Sequence, residues 1–136
     1  VLAAKGVTSM CVDNEVAWYI KHDRKVCVQL NLTDNDPIGE EQCITCEDMH
    51  LEKLVCRDGV VWALTDTGHM AFRVGVSTVN PSGHSWGVMA AHPYKVKDIV
   101  LGPTNCGWML DENGGIFFRQ GVCAEYPQGE ESRWWQ

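Results

Sequence analysis

A spaced pattern of Trp, Gly, Arg and Pro residues that recurs after 46 residues constrains this sequence more than any other feature. Six of its seven marks keep their spacing in the second copy, and only the closing Trp is displaced, by two residues. Such agreement indicates an internal repeat. The marks are Trp62, Gly68, Arg73, Gly75, Pro81, Gly83 and Trp86 in one copy, and Trp108, Gly114, Arg119, Gly121, Pro127, Gly129 and Trp134 in the other.

A third, degraded copy precedes these two, at an offset of 44 residues. Counting from Trp18, Gln29 stands at the arginine position and Asn31 at the second glycine. Pro37 and Gly39 stand at the Pro-x-Gly positions. This copy therefore keeps the length of the repeat while losing most of its signature.

Each copy is predicted to form four short strands, with the leading Trp in the second strand. The turns Asp66-Thr67-Gly68 and Glu112-Asn113-Gly114 follow that strand, and no 3.6-residue periodicity indicates a helix. Four strands in about 45 residues is the size of one propeller blade. We expect an all-β fold of three consecutive four-stranded blades, the first degenerate, from a larger β-propeller. The expected ranges are 1–136 for the partial propeller, and 7–46, 53–89 and 97–136 for its blades.

Charge and cysteine content narrow the function classes. A net charge of −7 disfavours binding to nucleic acid or anionic lipid. No apolar run approaches the roughly 18 residues that a membrane span requires. Seven cysteines, an odd number, fit buried free thiols in a reducing compartment better than a disulfide framework.

Two arginines lie on apolar predicted strands, where an unpaired cation is costly. We expect Arg73 and Arg119 each to pair with a carbonyl or a carboxylate, with Asp66 and Asp111 as the nearest candidates by position.

The segment from Val61-Trp62 through Phe72-Arg73-Val74-Gly75 to Pro81-Ser82-Gly83 resembles the tectonin β-propeller repeat, and the third copy resembles it at the matching positions. The resemblance is strong over residues 53–136 and weak over 7–46, where Arg24, Gln29, Asn31 and Gln42 depart from the pattern. It implies a propeller and one of two functions. Large intracellular family members are scaffolds in autophagy and membrane trafficking, whereas small secreted members bind carbohydrate and lipopolysaccharide.

We expect the scaffold: a non-enzymatic, cytoplasmic protein acting on autophagic or endomembrane compartments. Its partners would be proteins of that machinery, together with flanking blades of the same chain. The lectin is the alternative. Sugar-binding repeats tend to keep one site each, but the Pro-x-Gly loops differ here, since Asn80, Ser82 and His84 correspond to Tyr126, Gln128 and Glu130.

Four residues approach the pattern of a zinc knuckle with three thiolates and one imidazole, namely Cys43, Cys46, His50 and Cys56. The histidine spacing is one residue short, and the repeat places the cysteines on strands. Structural cysteines are the favoured interpretation, with zinc as the alternative.

No pattern supports catalysis or a bound cofactor. His22, His69, His84 and His92 fall in or beside predicted turns, without a Cys or Ser in a recognisable pairing. Trp135, next to the closing Trp134, is either a contact for a partner or a residue buried by a further blade.

Overall fold

The computed structural model describes residues 4–44, 46, 49–89 and 95–130, and every regular element within them is a β-strand. The strands pair into three separate antiparallel sheets. The part of the chain that is described holds no helix with the length and apolarity needed to cross a membrane.

The first sheet, blade A, is a meander in which each strand pairs with the next. Its strands are β1 (Val7–Asp13), β2 (Val16–Lys21), β3 (Val26–Leu30) and β4 (Glu40–Ile44). The Trp of the degraded repeat, Trp18, lies in β2, as the sequence predicts.

The second sheet, blade B, repeats this order. It consists of β5 (Leu51–Arg57), β6 (Val60–Thr65), β7 (Met70–Val74) and β8 (Ser85–Val88). The first three strands carry the apolar and β-branched residues that favour extended backbone.

The third sheet, blade C, shows three strands, namely β9 (Val96–Leu101), β10 (Gly107–Asp111) and β11 (Ile116–Arg119). The fourth strand expected near Trp134 lies outside the described residues. The all-β prediction of consecutive blades is confirmed, while the repeat ranges 7–46, 53–89 and 97–136 stay predictions.

A side chain at the end of the second strand fixes the hairpin to the third strand in both well-formed blades. In blade C the carboxylate of Asp111 accepts hydrogen bonds from the backbone N–H groups of Asn113 (3.0 Å) and Gly115 (2.7 Å). In blade B the hydroxyl of Thr65 accepts one from the N–H of His69 (3.1 Å). Different residues thus stabilise the same turn.

The hydrophobic core lies between the sheets, in two clusters. One fills the junction of blades A and B and includes Trp18, Leu54 and Val61. The other fills the junction of blades B and C and includes Trp62 and Met109. Blade B therefore contributes one face to the core that it shares with blade A and the opposite face to the core that it shares with blade C.

Candidate functional site

The junction between blades B and C closes on Trp62, whose indole is fully buried. Its Nε1 donates a hydrogen bond of 2.6 Å to the carbonyl of Pro127 in the Pro-x-Gly loop of blade C. Its ring covers Gly107, where an added Cβ atom would lie 1.8 Å from the indole. A glycine opposite the ring and a carbonyl beside it thus let the two blades meet closely.

The repeated arginines bind the Pro-x-Gly loops from the third strand of their own blade. Arg73 Nε donates to the carbonyl of Ser82 (2.8 Å), and Arg119 Nε donates to the carbonyl of Gln128. The glycine that follows must be a glycine: Gly83 has φ +65°, and a Cβ atom there would lie 2.5 Å from the carbonyl oxygen of Val74. The signature therefore encodes a loop held against its blade.

The expected carboxylate partners of these arginines are not the ones the structure shows. Asp66 lies 3.5 Å from Arg24 at the surface, and Asp111 is engaged in its own hairpin turn. The carbonyl alternative holds because the arginine points along its own sheet toward the loop, where backbone oxygens need donors. Burial lowers the pKa of both arginines, and a guanidinium stays charged even so.

The junction between blades A and B is built differently. Trp18 packs edge-on against Trp86, with 6.1 Å between ring centroids. The guanidinium of Arg73 lies 5.9 Å from the Trp18 ring centroid and 5.2 Å from that of Trp86. The residue of blade B that faces the Trp18 indole is Val61. The equivalent residue of blade C, which faces the Trp62 indole, is Gly107. Cation–π contacts thus join the tryptophan of blade A to the arginine of blade B.

An open groove of about 520 Å³ lies along this junction. Its floor is apolar and includes the buried Val16, Trp18 and Val61. We call it the junction groove, and its rim is formed by Asp13, Asn14, Glu15, Asn31, Gly59, Val76, Ser77, Thr78 and Pro81. An apolar floor with a mixed polar rim, at this volume, is typical of a binding site.

The rim of the junction groove is partly fixed and partly free. Asp13 accepts hydrogen bonds from the N–H groups of Asp58 (3.1 Å) and Gly59 (2.7 Å), which ties blade A to the first turn of blade B. Glu15, Asn31 and Thr78 are exposed. The groove therefore presents one free carboxylate and several hydrogen-bonding groups above its apolar floor.

A second exposed surface is the apolar face of blade C, formed by Val100, Trp108, Ile116 and Phe118. The equivalent residues of blade B, Val55, Trp62, Met70 and Phe72, belong to the B/C core or pack against it. Trp108 is 41% exposed, whereas Trp62 is 0% exposed. The same face is thus covered in one blade and open in the next.

The four candidate zinc ligands do not form a common site. No three of Cys43, Cys46, His50 and Cys56, all of them described, bring ligand atoms within 4.8 Å of one another. Cys43 contacts Cys27 on the neighbouring strand, and Cys56 contacts Cys11 of blade A. Cys46 lies near Arg73 and Trp86. The short histidine spacing and the strand register direct these side chains to different neighbours.

Two of these thiols, those of Cys11 and Cys46, are poor nucleophiles at neutral pH. The thiol contact with Cys56, followed by burial, raises the pKa of Cys11, and burial raises the pKa of Cys46. His22, His69 and His84 are exposed, while His92 lies outside the described residues. Trp134 and Trp135 also lie outside them, so the expectations for both stay predictions.

Sequence reasoning missed the junction groove and the thiol pairs. The departure of Asn31 from the repeat, where blades B and C have glycine, was the available signal for the groove. The pairing of Cys27 with Cys43 depends on the register across the loop between β3 and β4. A loop of that length does not fix the register from the sequence.

Comparison with known families matches the chain to a family profile described as Hyd_WA propeller, over residues 60–86 and 108–136. Among curated proteins, the human Tectonin beta-propeller repeat-containing protein 2 is 30% identical over 130 residues. That alignment covers 93% of this chain and 9% of the human protein. The chain thus spans about a tenth of the length of this relative.

Solved structures of similar fold are only distantly related in sequence. Human WBSCR16 aligns with a TM-score of 0.65 and 12% identity, over 95% of this chain and 39% of its own. YCF48 from Cyanidioschyzon merolae gives 0.61 and 14%, over 95% and 36%. Prp20p from Saccharomyces cerevisiae, described with its binding to Gsp1p and histones, gives 0.60 and 13%, over 85% and 32%.

Proposed function

Because this chain belongs to the tectonin β-propeller repeat family, we propose that its three blades form part of a non-enzymatic protein-interaction scaffold. The scaffold acts in autophagy or membrane trafficking, on the cytoplasmic face of endomembrane compartments. This assignment draws on the resemblance to large intracellular members of the family. The relative of 30% identity carries the same repeats in a much longer chain.

The junction groove is the observation that supports protein binding. It combines the apolar floor of Trp18 and Val61 with a rim of exposed polar groups. An apolar anchor of a partner could occupy the floor, while its backbone and polar groups pair with the rim. The free carboxylate of Glu15 favours a partner segment with a basic residue next to that anchor.

The apolar face of blade C supports a different contact, with a flanking blade of the same protein. Its residues Val100, Trp108, Ile116 and Phe118 match those that blade C covers on blade B. A further blade seated there would bury the exposed part of Trp108. Propeller blades contribute their faces to one another, so loops and grooves remain for partners.

Carbohydrate binding of the tectonin type is the second candidate function. One observation favours it: Tyr126, in the Pro-x-Gly loop of blade C, is 60% exposed, and an exposed aromatic ring can stack on a sugar. Its counterpart Asn80 in blade B is also exposed but offers no ring. Sites of unlike chemistry in adjacent blades favour the scaffold over a repeated sugar site.

Charge reversal in the groove of the full-length protein tests the proposal. We expect Glu15→Arg to weaken capture of trafficking or autophagy proteins by at least about fivefold, because the rim carboxylate becomes a repelling cation. Glu130→Arg is the matched control, since this exposed carboxylate lies in the loop of blade C, away from the groove. Direct titration of the captured partner then measures the change in Kd.

A glycan and lipopolysaccharide array on the same proteins separates the two functions. The lectin function would be favoured over the scaffold by two results together. The protein would bind a sugar saturably and lose that binding in Tyr126→Ala, and Glu15→Arg would capture trafficking or autophagy proteins as well as the wild type does. A silent array with capture that depends on Glu15 supports the scaffold and places the contact at the junction groove.

A further inference from the structure

Two cysteines face each other across the outer strands of blade A. Cys27 in β3 and Cys43 in β4 are direct register partners, and their Sγ atoms lie 3.1 Å apart. Directly opposed residues in antiparallel strands have Cα atoms about 4.5 or 5.5 Å apart. Both values fall within the range of about 4.4–6.8 Å that a disulfide accepts. A bond between these sulfurs thus needs no rearrangement of the strands.

The two thiols differ in their access to solvent. Cys27 is fully buried, whereas Cys43 is exposed on β4, the outermost strand of the blade. Burial, followed by the contact with the Cys43 thiol, raises the pKa of Cys27 to about 12. An accessible thiol backed by a buried one is the arrangement of an attacking and a resolving cysteine.

A charged cluster adjoins the pair on the same face of the sheet. Glu41 accepts hydrogen bonds from the Tyr19 hydroxyl (2.8 Å) and from Lys21 Nζ (3.1 Å). The Lys21 ammonium lies close enough to lower the pKa of Cys27, against the larger effect of burial. A nearby cation stabilises a thiolate and so favours oxidation. In blade B, the positions that correspond to Tyr19 and Cys27 are occupied by Ala63 and Ala71, which are apolar and buried.

The geometry points to Cys27 and Cys43 as a site of reversible oxidation, at which a hydroperoxide converts the two thiols into a cross-strand disulfide. This inference stands apart from the proposed function, since it concerns the face of blade A that points away from the junction groove.

The reaction proceeds in two steps. The Cys43 thiolate attacks one peroxide oxygen and breaks the O–O bond, which gives a sulfenic acid and, after protonation, water when the oxidant is hydrogen peroxide. Cys27 sulfur then attacks the Cys43 sulfur, the S–OH bond breaks, and the hydroxide takes the Cys27 proton to leave as a second water. Two thiols are oxidised by two electrons, and one peroxide is reduced to two waters. A dithiol reductant reverses the change by thiol–disulfide exchange.

Metal binding is the competing use of the same atoms. Cys27, Cys43 and Glu41 bring ligand atoms within 4.8 Å of one another. The Glu41 carboxylate is already held by Tyr19 and Lys21, and the Lys21 ammonium opposes a cation at this place. The surroundings therefore favour thiolate chemistry over a metal ion.

The test is disulfide mapping of the full-length protein after mild treatment with hydrogen peroxide. Trypsin leaves both cysteines on one peptide, because residues 26–52 contain no Lys or Arg. A second cleavage at Asp or Glu separates Cys27 from Cys43, so that a bond between them joins two fragments until it is reduced. We expect that linkage to form before any other, with the loss of two hydrogen atoms in mass.

The disulfide would also tie β4 to β3. Closing a loop of 16 residues in sequence should slow amide exchange in Glu40–Ile44 by roughly tenfold or more. Cys43→Ser and Cys27→Ala should each abolish both effects. Cys46→Ser is the matched control, because it lies on the same peptide and should leave them unchanged.

Two results would overturn the inference. One is first oxidation elsewhere, at Cys43 with Cys46 or at Cys11 with Cys56, which would show that proximity and access at β3 and β4 do not direct the reaction. The other is protection of Cys27 and Cys43 from peroxide by added Zn²⁺ at stoichiometric concentration, which would make the cluster a metal site.

Discussion

The two junctions of this chain are built from the same repeat and differ in the residue that faces the tryptophan. Between blades B and C, the Trp62 indole covers Gly107 and donates its N–H to the Pro127 carbonyl. Between blades A and B, Trp18 faces Val61 and packs on Trp86. The first junction is linked through its loop and has an open groove of about 560 Å³ beside that loop. The second has the junction groove of about 520 Å³ and no such hydrogen bond among the residues described.

The difference shows that the residue facing the tryptophan is coupled to the approach of the neighbouring loop. Without a side chain at Gly107, the indole can lie against the backbone, and the Pro-x-Gly loop reaches its nitrogen. Val61 packs in the same cluster as Trp18, and no hydrogen bond from the Trp18 Nε1 is found among the residues described.

Filling the space beneath Trp62 should have the largest effect on stability of all the changes considered at the two junctions. Gly107→Val recreates the valine of the A/B junction, but its Cβ atom would lie 1.8 Å from the ring. We expect a loss of about 3 kcal/mol or more in the free energy of unfolding, from overpacking and the displaced indole. Denaturant unfolding of the intact propeller measures it. Val61→Ala, expected to cost about 2 kcal/mol because two buried carbons are removed, is the control. Equal losses of unfolding free energy in the two variants would show that the B/C junction does not require a glycine opposite Trp62.

The arginines should have the next largest effect. Arg73→Met and Arg119→Met keep much of the apolar stem but remove the donor to the loop carbonyl. We expect each to cost about 2 kcal/mol, because a buried carbonyl loses a charged donor. Arg73→Met should in addition remove the contacts of the guanidinium with the rings of Trp18 and Trp86.

Thermal unfolding of both variants is the measurement, with Arg24→Met as a control at an exposed arginine whose ion pair is on the surface. Unchanged stability in Arg73→Met would show that the loop is held by its backbone alone.

Removing one N–H group tests the hydrogen bond between Trp62 and Pro127 itself. Trp62→Phe deletes the donor to Pro127 and leaves a buried carbonyl unpaired, so we expect a cost of about 1–3 kcal/mol. Trp18→Phe should cost less, because the Trp18 nitrogen makes no such bond in the described structure. Chemical denaturation of Trp62→Phe and Trp18→Phe side by side measures the two stability losses. A larger loss for Trp18→Phe would mean that ring size, not the hydrogen bond, distinguishes the junctions.

The sequence predicts the repeated scaffold well and the contacts between blades poorly. The spacing of Trp62 and Trp108 locates the second strand of each blade, because periodic marks reflect a local unit. The same marks predict equal roles, yet Trp62 is buried and Trp108 is exposed. The difference comes from whether another blade covers the ring. That information lies outside the repeat itself.

The partners of side chains were harder still to predict. Nearness in sequence suggested Asp66 and Asp111 for the arginines, but strand geometry directs Arg73 to a loop carbonyl nine residues away. Spacing likewise grouped Cys43 with Cys46, whereas the sheet pairs it with Cys27. Contacts across strands and blades depend on register, which these short patterns do not fix.

The smallest expected effect compares the innermost strands of the two junctions. Ser9, Lys53 and Asp98 occupy the same position in β1, β5 and β9. Ser9 accepts a hydrogen bond from the N–H of Leu54 (3.1 Å), which joins blades A and B. Lys53 forms an ion pair with Asp98, which joins blades B and C. At this position the A/B junction thus has a neutral contact and the B/C junction a charged one.

Only the charged contact should respond to acid. The hydrogen bond from Lys53 lowers the pKa of Asp98 below its ordinary value of 3.8. Its contribution is therefore present above that ordinary pKa and is lost as the pH falls through the lowered one. Asp98→Asn should cost less than about 1 kcal/mol at neutral pH, because both side chains are partly exposed. The difference from wild type should vanish in strong acid.

Ser9→Ala is the matched variant at the other junction. It should cost about 1 kcal/mol at every pH, since neither Ser9 nor the Leu54 N–H titrates. Denaturant unfolding at neutral pH and near pH 3 separates the two behaviours. A loss in Asp98→Asn that stays the same at low pH would mean that it does not come from the charge on Asp98, since the hydrogen bonds from Lys53 and from the N–H of Ile99 both lower the pKa of that carboxyl. The charged link between blades B and C would then contribute nothing to the stability of their junction.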